Sequence, residues 1–350
     1  MVKSIGSEFS LDIRIFFKPK INAIANDVAT VSTGRCAIAA LIQHLKLTKD
    51  DEVLLPAYLC PVILKAFQKE NININYYKIK KNLNADLKDL EKSISKKTRF
   101  VYVIHYFGWP QPIDKIGKIC RKKGALLVED CAHSLLSTFK GKMLGEWGDY
   151  SFNMLRKWIP IPDGSLLYNH KDTGRKINYT PKLSFGYLQC TKARLGLILV
   201  KNVVPYILHR IYLGLEQSIS KYPKPAPMSW ISKSIWKHTD LQAIKLARRS
   251  NYKYLLSHLN NPKIKPFYPF LPEHVTPFQF PVLCGERDRL RDYLFDNKVF
   301  TDTHWNLDSF YGPKFRDTKK ISPFILSVPI DQRYGKEDMS WLAGILNGFK

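Results

Sequence analysis

The sequence lacks paired cysteines. Its six cysteines, spread over 350 residues, show no C-x-x-C spacing. This absence argues against a zinc module and against a disulfide framework. Isolated cysteines are typical of a reducing compartment, because disulfides persist only in oxidising ones. We therefore expect a cytoplasmic protein that has no metal site.

Long uninterrupted apolar runs are also missing. The most apolar stretch, Leu195 to Leu215, contains Lys201, Pro205 and Arg210. It therefore falls short of the roughly 18 consecutive apolar residues that a spanning helix needs. Charged residues likewise interrupt the N-terminal stretch MVKSIGSEFSLDIRIFF, so no targeting peptide is expected. Two interpretations of the apolar stretch stay open, a buried helix pair and a peripheral contact with an anionic membrane.

Acidic residues are scarce. The chain has 30 Asp and Glu against 55 Lys and Arg, which gives a formal net charge of +25 at pH 7. Such a balance favours anionic partners, namely phosphate-bearing ligands, nucleic acid or an anionic lipid surface. The cations are dispersed and no nucleic-acid-binding motif is present, so nucleic acid ranks last among these partners.

The first half of the chain alternates between helical and strand-like patterns. Amphipathic helices separate four apolar runs that we predict as strands, at Glu52–Pro56, Ile74–Ile79, Arg99–Phe107 and Ala125–Asp130. This alternation indicates an α/β fold with a mostly parallel sheet covered by helices. Ligands of such sheets bind at the carboxyl ends of the strands, here residues 56–60, 105–108 and 130–133.

The pattern changes after Leu167. Residues 180–235 are basic and apolar, Asp240–Leu259 has the spacing of an amphipathic helix, and the remaining residues mix short strands with helices. We predict a large domain over residues 1–235, with an insertion around 180–235. A smaller C-terminal α+β domain is predicted over residues 236–350.

A carboxylate stands at the end of a buried strand. Asp130 ends the run ALLVED, and His133 follows three residues later. An ionised carboxylate at a buried position needs a cation or a proton donor beside it. Asp130 is therefore either the N-cap of a helix that begins at Cys131 or a partner for a protonated pyridine nitrogen, as in pyridoxal 5'-phosphate (PLP) chemistry.

The first predicted helix begins at Thr33-Gly34-Arg35. Free backbone N–H groups and the positive end of the helix dipole at such a start suit a phosphate group. Arg35 would add a bidentate contact to the same anion.

Five segments occur in order along the chain: STGRCAIAALIQHL, DEVLLPAYLCPV, FVYVIHYFGWPQPID, LLVEDCAHSLLSTFKGKMLGEWGDYSF and LRKWIPIPDGS. Together they resemble the DegT-type nucleotide-sugar aminotransferases, which are PLP-dependent enzymes of fold type I. The resemblance extends from about Ser32 to Leu167 and continues more weakly from Asp240 onward. It implies a homodimer that aminates a nucleotide-linked keto-sugar, with glutamate as amino donor, in surface polysaccharide (lipopolysaccharide O-antigen) synthesis.

The resemblance also implies roles for individual residues. The phosphate-binding turn of the family corresponds to Thr33, Gly34 and Arg35. The carboxylate that pairs with the pyridine nitrogen corresponds to Asp130.

Further positions surround the cofactor ring in the family. His133 corresponds to a catalytic residue near the ring hydroxyl, and Ala132 to the residue against one ring face. The aromatic residue of the other face is replaced by Cys60, with Tyr58 as its substitute. His105 corresponds to a histidine near the mouth of the substrate site.

Two spacings locate the Schiff-base lysine, and they disagree by one residue. Counting forward from Ser151, itself a cofactor-contact position of the family, leads to Arg156; counting back from Asp163 leads to Lys157. A guanidinium stays protonated, whereas a buried lysine amine can become neutral and attack an aldehyde. Lys157 is therefore the predicted catalytic lysine, and Arg156 is placed near the phosphate or the substrate.

The chain departs from the family pattern at two places. Ser165 replaces a glycine of the turn after the lysine, and residues 180–235 replace a later segment that helps to form the site in relatives. An alternative function therefore stays open, a PLP-fold homologue with a different activity or none, associated with an anionic membrane surface.

Overall fold

A seven-stranded sheet organises the first part of the chain. The computed structural model describes residues 4–6, 8–172, 174–199, 205–221, 223–310 and 312–350. Nine strands precede residue 170: β1 (Ala29–Val31), β2 (Glu52–Pro56), β3 (Asn73–Tyr77), β4 (Thr98–Ile104), β5 (Leu126–Asp130), β6 (Thr138–Phe139), β7 (Lys142–Met143), β8 (Tyr150–Phe152) and β9 (Ser165–Asn169). The sheet order is β1-β9-β8-β5-β4-β2-β3, and β6 pairs with β7 in a separate hairpin.

Most pairs in the large sheet are parallel. Strands β3, β2, β4, β5 and β8 run in one direction, whereas β9 is antiparallel to both β8 and β1. The predicted α/β fold with a mostly parallel sheet is confirmed. The predicted strand Arg99–Phe107 ends earlier, at Ile104, because residues 106–108 form a single helical turn with Phe107 at φ 55°.

Eleven α-helices are described: α1 (Gly34–His44), α2 (Leu64–Lys69), α3 (Leu87–Ser93), α4 (Ile113–Lys123), α5 (Phe185–Leu199), α6 (Pro205–Lys221), α7 (Trp230–Lys237), α8 (Leu241–His258), α9 (Arg287–Asp296), α10 (Arg316–Lys319) and α11 (Lys336–Gly348). Their ends follow local rules. Asp240 accepts the N–H of Ala243 as the N-cap of α8, and Gly124 closes α4 at φ 71°.

A second, smaller sheet lies in the C-terminal part. Strands β10 (Ile264–Pro266), β11 (Phe280–Cys284) and β12 (Ile325–Val328) are antiparallel. Side chains of α8, α9 and α11 share their hydrophobic core, which also includes Ile5 near the N-terminus. Ile5 forms an isolated bridge with Val299. The α+β character of this part is confirmed, and the boundary between residues 235 and 236 stays a prediction.

The apolar stretch around residues 195–215 contains two helices, α5 and α6. Leu197 of α5 and Tyr212 of α6 belong to the core of the large domain. Arg194 donates a hydrogen bond to the Tyr212 hydroxyl across the pair, at 2.6 Å. The predicted helix pair is present, but it is only partly buried, since Leu199, Ile211 and Leu213 are exposed. Residues 200–204 of the stretch lie outside the described residues. In the described part of the chain, no helix combines the length and the hydrophobicity that a membrane crossing requires.

The turn between β8 and β9 is attached to α7 through a buried carboxylate. Asp163 accepts hydrogen bonds from the N–H and the hydroxyl of Ser229, the N-cap of α7, and from the Ser232 hydroxyl. The next residue, Gly164, has φ +138°, and a Cβ there would lie 2.9 Å from the Met228 methyl group. The Asp163-Gly164 pair therefore fixes the path of the segment that carries Lys157.

Replacing Asp163 by alanine should destabilise the protein. The buried donors of Ser229 and Ser232 would lose their acceptor, which we expect to lower the free energy of unfolding by about 2–4 kcal/mol. Asp240→Ala removes an exposed helix cap and serves as the control, with an expected loss of about 1 kcal/mol. Urea unfolding measures both. Equal losses in the two variants would contradict the anchoring role of Asp163.

Candidate active site

A cavity of about 400 Å³ lies at the carboxyl ends of the parallel strands. Its walls come from the start of α1, from residues 60–65 after β2, from the ends of β4 and β5, from residues 152–157 after β8, from α6 and from Trp305. Of the predicted strand-end residues, Cys60 and the group Asp130, Ala132 and His133 line the cavity. None of residues 105–108 does, and β4 contributes Tyr102 and Ile104 instead.

Asp130 lines this cavity and is almost fully buried. Its carboxylate accepts one hydrogen bond from the Tyr102 hydroxyl, at 2.7 Å, and one from the Ala132 N–H, at 2.9 Å. Residues 131–137 form turns, so the helix-cap interpretation of Asp130 is wrong. Burial raises the pKa of the Asp130 carboxyl, although the Tyr102 and Ala132 hydrogen bonds oppose that shift.

Lys157 and His133 meet at the same cavity. Lys157 lies in a short helical turn, Leu155–Lys157, and its Nζ is 2.8 Å from His133 Nε2. Burial lowers the pKa of the Lys157 amine, with the charge of Asp130 acting in the opposite direction. The neutral amine, which is the nucleophilic form, is thereby favoured over its state in water.

Aromatic rings enclose the His133 imidazole. It stacks on Phe278, with centroids 4.5 Å apart, and lies 5.7 Å from the Trp305 ring. Burial lowers the pKa of His133 well below its ordinary value, so the ring is neutral. Its Nδ1 has no hydrogen-bond partner among the described residues. One ring nitrogen therefore contacts Lys157, and the other stays unsatisfied.

The C-terminal part of the chain supports the Lys157 turn from behind. The buried guanidinium of Arg248 stacks on Trp158, 4.4 Å from the ring centroid, and donates to the carbonyls of Phe278 and Lys157. Gln332 donates to the Trp158 carbonyl at 2.6 Å. Sequence reasoning missed Arg248, because only the amphipathic spacing of its helix was visible.

The turn predicted to bind a phosphate is only partly in the cavity. Gly34 and Arg35 line it, whereas Thr33 is the N-cap of α1 and accepts the Cys36 N–H. A Cβ at Gly34 would lie 3.0 Å from the Met154 methyl group. Because Gly34 has no side chain, the start of α1 can pack closely against the segment that follows β8.

Arg35 and Arg156 are both paired with a carboxylate of α6. Glu216 Oε1 lies 2.6 Å from Arg156 Nη2 and 3.3 Å from Arg35 Nη2. Burial alone would raise the pKa of Glu216, but the charge of Arg156, the Tyr212 hydroxyl and Arg35 lower it to about 2. Sequence reasoning missed Glu216, since no motif surrounds it.

Ser151 and His105 do not line the cavity, which corrects both predictions. Successive side chains of a strand point to opposite faces of the sheet. Phe152 and Ile104 line the cavity, so their neighbours Ser151 and His105 face away from it. Ser151 Oγ contacts His170 Nε2 at 2.9 Å instead of a cofactor position.

On that opposite face, His105 is hydrogen-bonded to the buried carboxylate of Glu129. Its Nδ1 accepts the Gln111 N–H at 3.0 Å, so Nε2 carries the proton and donates to Glu129 at 2.8 Å. Glu129 accepts three further hydrogen bonds, from the backbone N–H groups of Gly145, Trp147 and Gly148. His105 is thus fully buried and contributes no surface to the cavity.

Tyr58 is not a cavity residue either. It is fully buried and donates its hydroxyl hydrogen bond to the His304 carbonyl. Cys60 and Ala132 do line the cavity, and burial raises the pKa of the Cys60 thiol. Aromatic rings also line the cavity, those of Tyr102, Phe152 and Trp305. Trp305 packs on Tyr58 with centroids 5.3 Å apart. Its distance along the chain hid it from sequence reasoning.

Comparison with known proteins identifies relatives of the chain. Residues 21–161 match the DegT/DnrJ/EryC1/StrS aminotransferase family. A GDP-perosamine synthase of Vibrio cholerae is 27% identical over 146 residues, 41% of this chain and 40% of that enzyme. A dTDP-3-amino-3,6-dideoxy-alpha-D-galactopyranose transaminase of Aneurinibacillus thermoaerophilus is 22% identical over 91% of this chain and 84% of its own.

A solved structure shares the fold. It is that of the putative sugar aminotransferase Spr1654 from Streptococcus pneumoniae in its PLP-form, with a TM-score of 0.69 at 13% identity, over 91% of this chain and 86% of that one. The resemblance predicted from the sequence is confirmed. The aligned region spans only about two fifths of the length of the Vibrio enzyme and of similar curated relatives.

Glu129→Gln should destabilise the protein in a pH-dependent manner. A buried amide NH₂ would face backbone N–H donors, which we expect to cost about 2–4 kcal/mol at neutral pH. Although burial acts to raise the pKa of Glu129, His105 and the backbone N–H groups lower it below its ordinary value of 4.5. The stabilising effect of Glu129 is therefore complete above 4.5 and is lost as the pH falls through the lower, folded-state pKa.

Urea unfolding at about pH 7 and about pH 3 tests this expectation, and the difference between wild type and Glu129→Gln should narrow at the lower pH. Glu91→Gln, which removes an exposed pair with Lys122, is the control and should change stability by less than about 1 kcal/mol. A difference that is equal at both pH values would contradict the prediction.

Proposed function

We propose that this protein is a PLP-dependent aminotransferase that acts on a nucleotide-linked keto-sugar. The observation that carries the proposal is the juxtaposition of Lys157, His133 and Asp130 in one buried cavity. A lysine amine with a lowered pKa is the nucleophile that carbonyl chemistry requires, and a buried carboxylate is the partner of a pyridine nitrogen. The family match over residues 21–161 supports the same conclusion.

The residues of the cavity fit PLP. The volume of about 400 Å³ lies within the range of small-molecule sites. Lys157 would hold the aldehyde carbon, and Asp130 the ring nitrogen. His133 Nδ1, buried without a described partner, is available to a polar group of the ring. The start of α1 and the guanidinium groups of Arg35 and Arg156 supply donors for the phosphate.

When bound, PLP supplies an electron sink for the negative charge that forms at the substrate carbon. The protein contributes groups that hold and move protons. Asp130, fixed by Tyr102 and Ala132, holds the proton on the ring nitrogen. Lys157 Nζ accepts and returns a proton, and neutral His133 at 2.8 Å orients the amine. Trp305 and Phe278 exclude water from this face of the site.

The substrate class rests on charge and on the relatives. Arg35, Lys65 and Arg156 line the cavity, and the chain carries a net charge of +25, which suits a diphosphate-bearing sugar. The Vibrio and Aneurinibacillus relatives carry GDP- and dTDP-linked sugars in their names. We propose glutamate as amino donor, a homodimer, and a cytoplasmic role in surface polysaccharide (O-antigen) synthesis. All six cysteines are free, in agreement with a reducing compartment.

A second candidate function is a PLP-fold protein without transaminase activity. The pairing of Arg35 and Arg156 with Glu216 favours it, because both cations are already engaged by a protein carboxylate. The two candidates differ in whether a covalent cofactor adduct forms on Lys157 and turns over. For both candidate functions, contact of the protein with an anionic membrane surface stays a hypothesis.

Borohydride reduction of the PLP-loaded protein should fix the cofactor on the peptide that contains residue 157. The physical reason is that only an amine, and not the neighbouring guanidinium, forms an imine. Lys157→Ala should lose both the absorbance band of the imine and the borohydride-stable adduct. Arg156→Lys should keep the adduct on residue 157. Peptide mass spectrometry locates the adduct, and an adduct on another lysine would refute the assignment.

Asp130→Asn should keep the fold but slow transamination. An amide cannot hold the pyridinium proton as a carboxylate does, so we expect a loss on the order of 100-fold in the glutamate half-reaction. Absorbance changes of the loaded protein measure that rate. Asp114→Asn, which alters an exposed pair with Lys140, is the control and should match wild type. Wild-type turnover in Asp130→Asn would remove Asp130 from the mechanism.

A further inference from the structure

One wall of the cavity belongs to α6, within the segment around residues 180–235 that no family motif covers. Leu213, Glu216 and Gln217 are its contributions to the lining. The spacing of one helical turn places Leu213, Glu216 and Gln217 on the same face of α6. Glu216 therefore brings a negative charge to the side of the cavity where the start of α1 and the two arginines lie.

A single oxygen of Glu216 engages both arginines. Glu216 Oε1 is within 2.6 Å of Arg156 and 3.3 Å of Arg35. The side chains are only 22%, 17% and 9% exposed, respectively, so water screens these charges far less than at the surface. The two arginines therefore form an anion-binding site, and the Glu216 carboxylate occupies it.

The phosphate of a cofactor would require the same donors. Backbone N–H groups at the start of α1 favour an anion, and Arg35 and Arg156 are the guanidinium groups that line the described cavity. A carboxylate and a phosphate next to each other repel, and both draw on the same two cations. Phosphate binding therefore weakens the contacts of Glu216 with the two arginines, and those contacts weaken phosphate binding.

We infer that Glu216 sets the affinity for PLP by competing with the cofactor phosphate for Arg35 and Arg156. This inference rests on the proposed function, because it takes PLP to be the phosphate-bearing ligand. Loading of the cofactor releases Glu216 from the arginines, so the α6 segment that faces the cavity loosens when the phosphate binds.

The rest of α6 remains attached when Glu216 is released. The Tyr212 hydroxyl accepts hydrogen bonds from Arg156 and from Arg194 of α5, and Arg194 is itself paired with Glu8 at 2.7 Å. These contacts lie one turn before Glu216. The Tyr212 hydroxyl also hydrogen-bonds the Glu216 carboxylate, but the bonds that it accepts from Arg156 and Arg194 do not require that carboxylate. The exchange of ligands is thus local to the turn that carries Glu216.

Glu216→Gln tests the inference, because it keeps the shape of the side chain and removes its charge. Absorbance titrations with PLP and with pyridoxal, the same aldehyde without the phosphate, report the two affinities. We expect the dissociation constant for PLP to fall on the order of 10-fold and that for pyridoxal to stay unchanged. Glu286→Gln, an exposed glutamate paired with Lys263, is the control and should change neither.

Weaker binding of PLP in Glu216→Gln would overturn the inference, since Glu216 would then orient the arginines for the phosphate. Equal changes for PLP and pyridoxal would also overturn it. If wild type forms no covalent adduct with either aldehyde, the proposed function fails. In that case, calorimetric titration with inorganic phosphate tests the competition alone. Phosphate must bind more tightly to Glu216→Gln than to wild type.

A measurement on the wild type guards against misfolding of the variant. Hydrogen exchange of the peptide that covers residues 211–221 should become faster when PLP is added and stay unchanged with pyridoxal. Exchange that is unchanged or slower with PLP would contradict the release of Glu216.

Discussion

Successive side chains of a strand point to opposite faces of the sheet, and this constraint separates two carboxylates that are neighbours in sequence. Glu129 faces away from the cavity, accepts four hydrogen bonds and has a lowered pKa. Asp130 faces the cavity, accepts two hydrogen bonds and has a raised pKa. Two adjacent residues thus supply carboxylates of different kinds. The Glu129 carboxylate has all its hydrogen bonds within the protein, whereas the Asp130 carboxylate can still bind a ligand.

The same alternation at β4 and β8 determines which residues form the site. Ile104 and Phe152 face the cavity, whereas His105 and Ser151 face the Glu129 side. Lys157 then reaches the cavity because the turn after β8 is held at both ends. Asp163 fixes it to α7, and Arg248 supports it from α8. The nucleophile is positioned by distant parts of the chain rather than by its own strand.

Apolar periodicity and strand ends are local signals. They were sufficient to predict the mostly parallel sheet, the strand Glu52–Pro56 and the position of Asp130 at the end of a buried strand. Sequence reasoning misplaced Ser151 and His105, since a motif shows order along the chain but not the face of the sheet. Trp305 and Glu216 could not be predicted, because only tertiary packing brings them to the cavity.

The partners of the Lys157 turn have a consequence for synthesis of the protein. The last strand of the large sheet ends at Asn169, so the sheet can assemble while the chain is still being made. The turn, however, lacks the Arg248 and Gln332 contacts until both residues have left the ribosome. A nascent chain therefore completes the support of the Lys157 turn only after Gln332 has emerged, long after the sheet strands that precede it.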